Sequence, residues 1–176
     1  MKLHRLITAS FLLIVLAGNS VNATPLFSDD FEDGIKKWAS NTRDSGVISV
    51  ISEGCPQSRQ CLRISNNDRN SYVFIGRRFI IQGPGSLSFS ARIRVPSLVK
   101  GAEFFHVGKF QAAIIRDGRE INWPNADIYS PVSGWVERRF KALDLKSGDE
   151  VLLRIGLQNA KGFLEVDDVQ VVFTPD

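Results

Sequence analysis

Histidine, cysteine and tyrosine are scarce in this chain, with two of each among 176 residues. A serine or cysteine triad needs a histidine base beside its nucleophile. With His4 near the N-terminus and His106 alone beyond it, that chemistry has almost nothing to draw on. Cys55 and Cys61 are spaced too widely for a Cys-x-x-Cys motif and have no histidine nearby, which argues against a thiol metal site. No apolar run reaches the roughly 20 residues that span a bilayer. The longest, Leu6 to Ala17, falls well short. A large charge excess is also missing, so neither nucleic-acid binding nor attraction to a membrane surface is indicated. Nothing reads as a long amphipathic helix, an internal repeat, a low-complexity tract or a linker.

What is present begins with an export pattern. Lys2 and Arg5 precede the uncharged stretch, and a short polar segment ends Val21-Asn22-Ala23, with small residues where a signal peptidase needs them. This predicts a signal peptide over residues 1–23 and a secreted or periplasmic protein. No cysteine stands near the cut, which excludes a lipoprotein. Residues 1–23 hold two basic residues and no acid, so 20 basic against 19 acidic residues remain. Residues 24–176 suit one domain large enough for a real core. In an oxidising compartment Cys55 and Cys61 should form a disulfide that pins a short surface loop.

Short runs of β-branched and aromatic residues alternate with Gly, Pro, Asn and Asp, the pattern of strands and turns. Strands are predicted over residues 26–31, 47–52, 61–65, 72–81, 86–95, 103–116, 135–143, 150–158 and 163–173. Strands without intervening helices predict an all-β, antiparallel β-sandwich of jelly-roll type. Alternation puts Leu87, Phe89, Ala91, Ile93 and Val95 on one face, and Ser88, Ser90, Arg92 and Arg94 on the other. Likewise Val151, Leu153, Ile155 and Leu157 oppose Leu152, Arg154, Gly156 and Gln158. In the last strand, Glu165, Asp167 and Val169 oppose Leu164, Val166 and Asp168.

Two segments carry a family resemblance. The opening Phe27-Ser28-Asp29-Asp30-Phe31-Glu32-Asp33-Gly34, with Trp38 following, and the closing Phe163-Leu164-Glu165-Val166-Asp167-Asp168-Val169-Gln170-Val171 resemble the first and last strands of one group of jelly rolls. Residues 54–64, 88–94 and Gly134-Trp135 with Arg139-Phe140 extend the likeness over nearly all of the exported part. The chain is similar to carbohydrate-binding modules of the galactose-binding-like superfamily, in particular families 4, 9 and 22. The resemblance implies a polysaccharide or oligosaccharide partner, a monomer, and a structural Ca²⁺ where the first and last strands meet. Carried over, Glu32 and Asp167 would supply carboxylates, Asp30 its carbonyl, and Gln57 and Gln60 further oxygens, a mixture suited to calcium. Gln57 stands where an acid is common. The resemblance also places Trp38 and Trp135 in the core.

Sugar sites combine flat aromatic surfaces with amides, carboxylates and guanidinium groups. Trp123 lies in a polar loop with Asn122, Asp127 and Tyr129, which makes this loop a candidate ligand platform, with Tyr72 a further aromatic of the same type. Arg92, Arg94 and Arg154 fall on outward strand faces, and on one concave sheet they would grip carboxylates or sulfates. That set points to an acidic polysaccharide; the bland alternative is ordinary surface ion pairing. Two other classes stay open. A jelly-roll polysaccharide lyase or glycoside hydrolase would need a base or a paired-carboxylate cleft. His106 in its apolar run reads as packed, and no spacing singles out a pair among Glu103, Glu120, Asp127 and Glu137. A matrix or adhesion protein would bind another protein through its strand edges.

Overall fold

In the computed structural model, residues 22–42 and 46–176 are described, and no helix occurs among them. The predicted export segment, apart from its last two residues, lies outside the described residues. The strands are β1 (Thr24–Asp29), β2 (Ala39–Thr42), β3 (Gly46–Ile51), β4 (Cys61–Asn66), β5 (Tyr72–Ile80) and β6 (Gly85–Val99), followed by β7 (Gly108–Arg116), β8 (Arg119–Asn122), β9 (Val132–Leu145), β10 (Glu150–Gln158) and β11 (Lys161–Pro175). They build the predicted antiparallel sandwich of jelly-roll type. One sheet runs β3-β4-β11-β6-β9, with β1 also paired to β11; the other runs β2-β5-β10-β7-β8. Cys55 and Cys61 are joined by a disulfide.

The inner faces follow the alternation read from the sequence. Leu87, Phe89, Ala91, Ile93 and Val95 meet Val151, Leu153, Ile155 and Leu157 across a single core. Phe140 joins it from β9, stacked on Phe89 at 4.6 Å and edge-on to Phe110 at 4.9 Å. Offset and edge contacts of this kind add to the burial of apolar area that drives folding.

Three departures from the predicted elements have local causes. β2 and β8 are short, exposed and polar, so they carry no apolar alternation to reveal them. They form through backbone pairing at the two edges of their sheet. Residues 103–107 form a turn instead of extending β7, and Phe104 stands 80% exposed. In β11, a bulge breaks the alternation. Register against β6 shifts between Asp167 and Gln170, and Asp168 takes a positive φ of 49°. Leu164 and Val166 face inward as predicted, but the extra residue turns Val169 and Val171 into the core as well. The bulge sits where β4, paired to residues 162–166, gives way to β1, paired to residues 169–173, along the same edge of β11.

Candidate functional site

The outward face of the β2-β5-β10-β7-β8 sheet carries a groove. Val73 and Ile75 point inward, so Tyr72, Phe74 and Gly76 of β5 share the outer surface. Tyr72 and Phe74 stack at 5.6 Å with their planes 21° apart, a nearly parallel aromatic step. Beside them on β10, Gln158 pairs with Tyr72, Gly156 with Phe74 and Arg154 with Gly76. A Cβ at position 156 would lie 1.9 Å from the Val73 carbonyl oxygen, so only glycine fits there, and the floor beside Phe74 stays bare. Two adjoining hollows of about 520 and 400 Å³ share Asn41, Phe74 and Arg154. Together they extend from Tyr72 to Arg78, about 20 Å along an extended strand.

Arg154, which lines this groove, is fixed by a polar cluster. Arg154 donates to Glu120 at 2.6 Å, and the same carboxylate accepts from the Trp123 indole at 2.7 Å. These two hydrogen bonds, the indole's first, hold the Glu120 carboxyl below its ordinary range. Trp123 is thereby oriented while 47% exposed. Asn122 accepts from the Trp123 backbone N–H, so it shapes the loop. Behind it, Lys109 and Asp127 form an ion pair at 2.5 Å with both residues buried. Burial pushes the Asp127 carboxyl up, partly countered by Lys109. Tyr129 is exposed farther along the same loop. The structure thus brings Arg154, Trp123, Asn122 and Asp127 to one side of one sheet. Phe74 and Asn41 belong to this groove and were not singled out in the sequence. Their signal was register with Tyr72 and with a strand too polar to recognise.

Arg92 and Arg94 lie on the other sheet, so the three guanidinium groups do not share a face. Glu165 is fully buried between Arg63 and Arg94, at 2.6 Å from the first and in direct contact with the second. Arg92 pairs with Asp168 at 3.2 Å. Arg94 also lies over the Trp135 ring at 5.1 Å, and the Trp135 indole donates to the Gly54 carbonyl at 2.7 Å. Trp135 is therefore half-buried outside the core, where it clamps the disulfide loop to the sheet, against the core position that the family resemblance implies. Trp38 is in the core as predicted, with its indole donating to Asp29 at 2.6 Å.

At the β11 bulge the disulfide loop meets two carboxylates. Glu32 accepts from the backbone N–H groups of Arg59 (2.5 Å) and Gln60 (3.0 Å). Asp167, fully buried, contacts the Ser58 hydroxyl and accepts from Asp168 N at 2.8 Å. The Ser58 hydroxyl also lies 2.7 Å from the Gln60 carbonyl oxygen, so one proton faces two acceptors. Burial, with smaller contributions from Asp168 and Asp30, pushes the Asp167 carboxyl up to about 6. Gln57 is exposed. No three His, Cys, Asp or Glu side chains gather into a metal-binding group among the described residues. Asp167, the Ser58 hydroxyl and the Gln60 carbonyl are joined by hydrogen bonds, three of the about six to eight oxygens that calcium takes.

His106 belongs to neither place. Its Nδ1 accepts from Glu103 N at 3.2 Å, and its Nε2 lies 3.1 Å from the Asn159 amide. Both ring nitrogens are spent on tying loops together.

No family model matches this chain, and no curated protein sequence matches it. Solved structures do share its fold. The CBM22-1 xylan-binding domain from Paenibacillus barcinonensis Xyn10C superposes with a TM-score of 0.61 at 15% identity, covering 88% of this chain and 97% of that one. The family 11 carbohydrate-binding module of cellulosomal cellulase Lic26A-Cel5E of Clostridium thermocellum gives 0.53 at 16% identity, covering 89% and 98%. A cyclase from Fischerella sp. TAU gives 0.60 at 7% identity, covering 88% and 98%. The fold is therefore one found both in carbohydrate-binding modules and in a cyclase. Function has to be argued from the site.

Proposed function

We propose that this protein is an exported, non-catalytic carbohydrate-binding module that holds a polysaccharide chain in the groove of its β2-β5-β10-β7-β8 sheet. The observation that carries this reading is the Tyr72–Phe74 aromatic step beside a bare glycine floor, with Arg154 in the same groove held by Glu120. Pyranose rings stack on such rings through their C–H faces, while guanidinium, carboxylate and amide groups take the hydroxyls. The xylan-binding domain that superposes on this fold supports a polysaccharide such as xylan as ligand. Arg154 and Arg78 each already face a carboxylate, Glu120 and Glu150, so the groove itself is balanced in charge and suits a neutral backbone. The acidic-ligand reading drawn from Arg92 and Arg94 loses its support there, since those side chains pair on the opposite sheet.

The non-catalytic reading is supported by what three candidate groups are doing. Glu120 and Asp127 pair with cations and His106 ties loops together, so these three do not form a poised acid–base pair over the groove. The oxygen set around Asp167 is read as a structural calcium site, with Asp167, Ser58 and the Gln60 carbonyl as ligands and Asp30 close by. When bound, calcium would supply charge that a buried Asp167 carboxylate otherwise lacks. The disulfide supports export.

Affinity electrophoresis through gels containing xylan or other polysaccharides tests the reading. The protein should be retarded by a neutral β-linked glycan, and Phe74→Ala should abolish the retardation. Undiminished retardation of that variant would move the site off this sheet.

A further inference from the structure

At its Tyr72 end the groove continues around the edge of the sandwich. Asn70 lines both the groove and a larger cavity of about 790 Å³ between three loops. Asn159 lines the groove and contacts His106, which lines the cavity. The loops are held in place. Asn66, fully buried, donates to the carbonyls of Asp68 (2.8 Å), Ser71 (3.1 Å) and Ala160 (3.0 Å). The Gly101 N–H donates to the His106 carbonyl at 3.1 Å.

The charge in this cavity differs from that of the groove. Arg154, Arg78, Arg92 and Arg94 all face carboxylates. Arg69 and Lys161, which line the cavity, face none within ion-pair distance among the described residues. The one acid lining it, Asp68, accepts from Asn70 N at 2.9 Å. Two cations without an ion-pair partner among the described residues therefore stand on a pre-organised rim, with amides of Asn67 and Asn70 beside them.

We infer that this cavity is an oxyanion subsite that reads a carboxylate or sulfate substituent carried by the chain in the groove. The inference rests on the groove reading and extends it: the backbone is recognised as neutral sugar on the sheet, and the acidic decoration is recognised at the loops. A guanidinium and an ammonium facing a common hollow can each donate to one such group, and both charges are available without breaking an existing pair.

The test uses xylohexaose, a xylo-oligosaccharide of the same length bearing one glucuronate, and one bearing a sulfate ester, titrated calorimetrically into the protein at low and moderate salt. The substituted ligands should bind on the order of tenfold more tightly than xylohexaose at low salt, with the advantage shrinking as salt rises. The Arg69→Ala/Lys161→Ala variant, altered only at exposed side chains, should lose that advantage and keep its affinity for xylohexaose. Phe74→Ala should lose all three ligands. A gain with glucuronate alone assigns the subsite to carboxylates, and a gain with sulfate alone assigns it to sulfates. No gain with either, or a gain that survives in the double variant, overturns the subsite and leaves the groove intact. Wild-type protein that ignores all three ligands ends both readings.

Discussion

Asp167→Asn separates a buried charge from a buried acid. The carboxyl has a folded-state value of about 6 against an ordinary 3.8. Its folded pKa is raised, so the native state holds the proton more tightly than the unfolded chain does. Well below its ordinary value of 3.8 the group is neutral in both states and costs nothing. Between about 4 and 6 the unfolded chain ionises first, and stability falls as pH rises. Above about 6 the full penalty is in place, at most about 3 kcal/mol for a shift of this size at about 1.4 kcal/mol per unit. Asparagine imitates the protonated acid. Its amide oxygen can accept from Asp168 N and its NH₂ can donate to the Ser58 hydroxyl, whose proton then goes to the Gln60 carbonyl. In EDTA, thermal melts of the wild type and variant should converge as pH falls and coincide at about pH 3. At pH 7.5 the variant should melt higher by several degrees, given about 2–4 °C per kcal/mol for a domain of this size. Millimolar calcium should then raise the wild type and leave the variant unmoved, because a ligand that binds only the native state stabilises it by mass action. A variant that loses as much stability at pH 7.5 as at about pH 3 would refute the account of a penalised carboxylate. A wild type indifferent to calcium would refute the ion.

Two further substitutions test the supports of the site. Asn66→Ala removes the buried amide shared by the Asp68, Ser71 and Ala160 carbonyls, of which Ser71 keeps the Asn159 N–H, and should cost about 1–3 kcal/mol, read as a fall of roughly 2–12 °C in the melting temperature; a fall under 1 °C would mean that the loops stand without it. Lys109→Met strands the Asp127 carboxylate and should cost about 3–5 kcal/mol in urea denaturation, whereas Lys109→Met/Asp127→Asn should recover most of it. Burial already raises the Asp127 carboxyl, so the single-variant deficit should shrink as pH falls and the acid takes a proton. A deficit that stays constant with pH would place its cause in packing.

The fold was legible because its core strands obey a two-residue period with few exceptions. Leu87 to Val95 and Val151 to Leu157 could be assigned to an inner face from sequence and are found there. The period misled at Val169, since a bulge adds one residue without a mark in composition, and Asp168 is among the residue types that accept a positive φ. Edge strands β2 and β8 were invisible because backbone pairing, which any polar residue can supply, defines them. The sandwich has two outward faces, and alternation says only that a side chain points out. Arg92, Arg94 and Arg154 all point out, yet sheet membership, a property of topology, puts the first two on the far side.

That ambiguity also explains how function divides over the molecule. The face built on β6 and β11 spends its arginines on a buried Glu165 and on a tryptophan that clamps the disulfide loop, so its charges are structural. The opposite face leaves an aromatic step uncovered because Gly76 and Gly156 place no side chain beside Phe74. At the loop end, Arg69 and Lys161 lack carboxylate partners among the described residues although the chain carries nearly as many acids as bases. What sets Arg69 and Lys161 apart is that both line one cavity without a carboxylate partner among the described residues, so recognition of an anion there has no ion pair to disrupt. A glycan bound in the groove needs only to carry its charge as far as Asn70 to reach them.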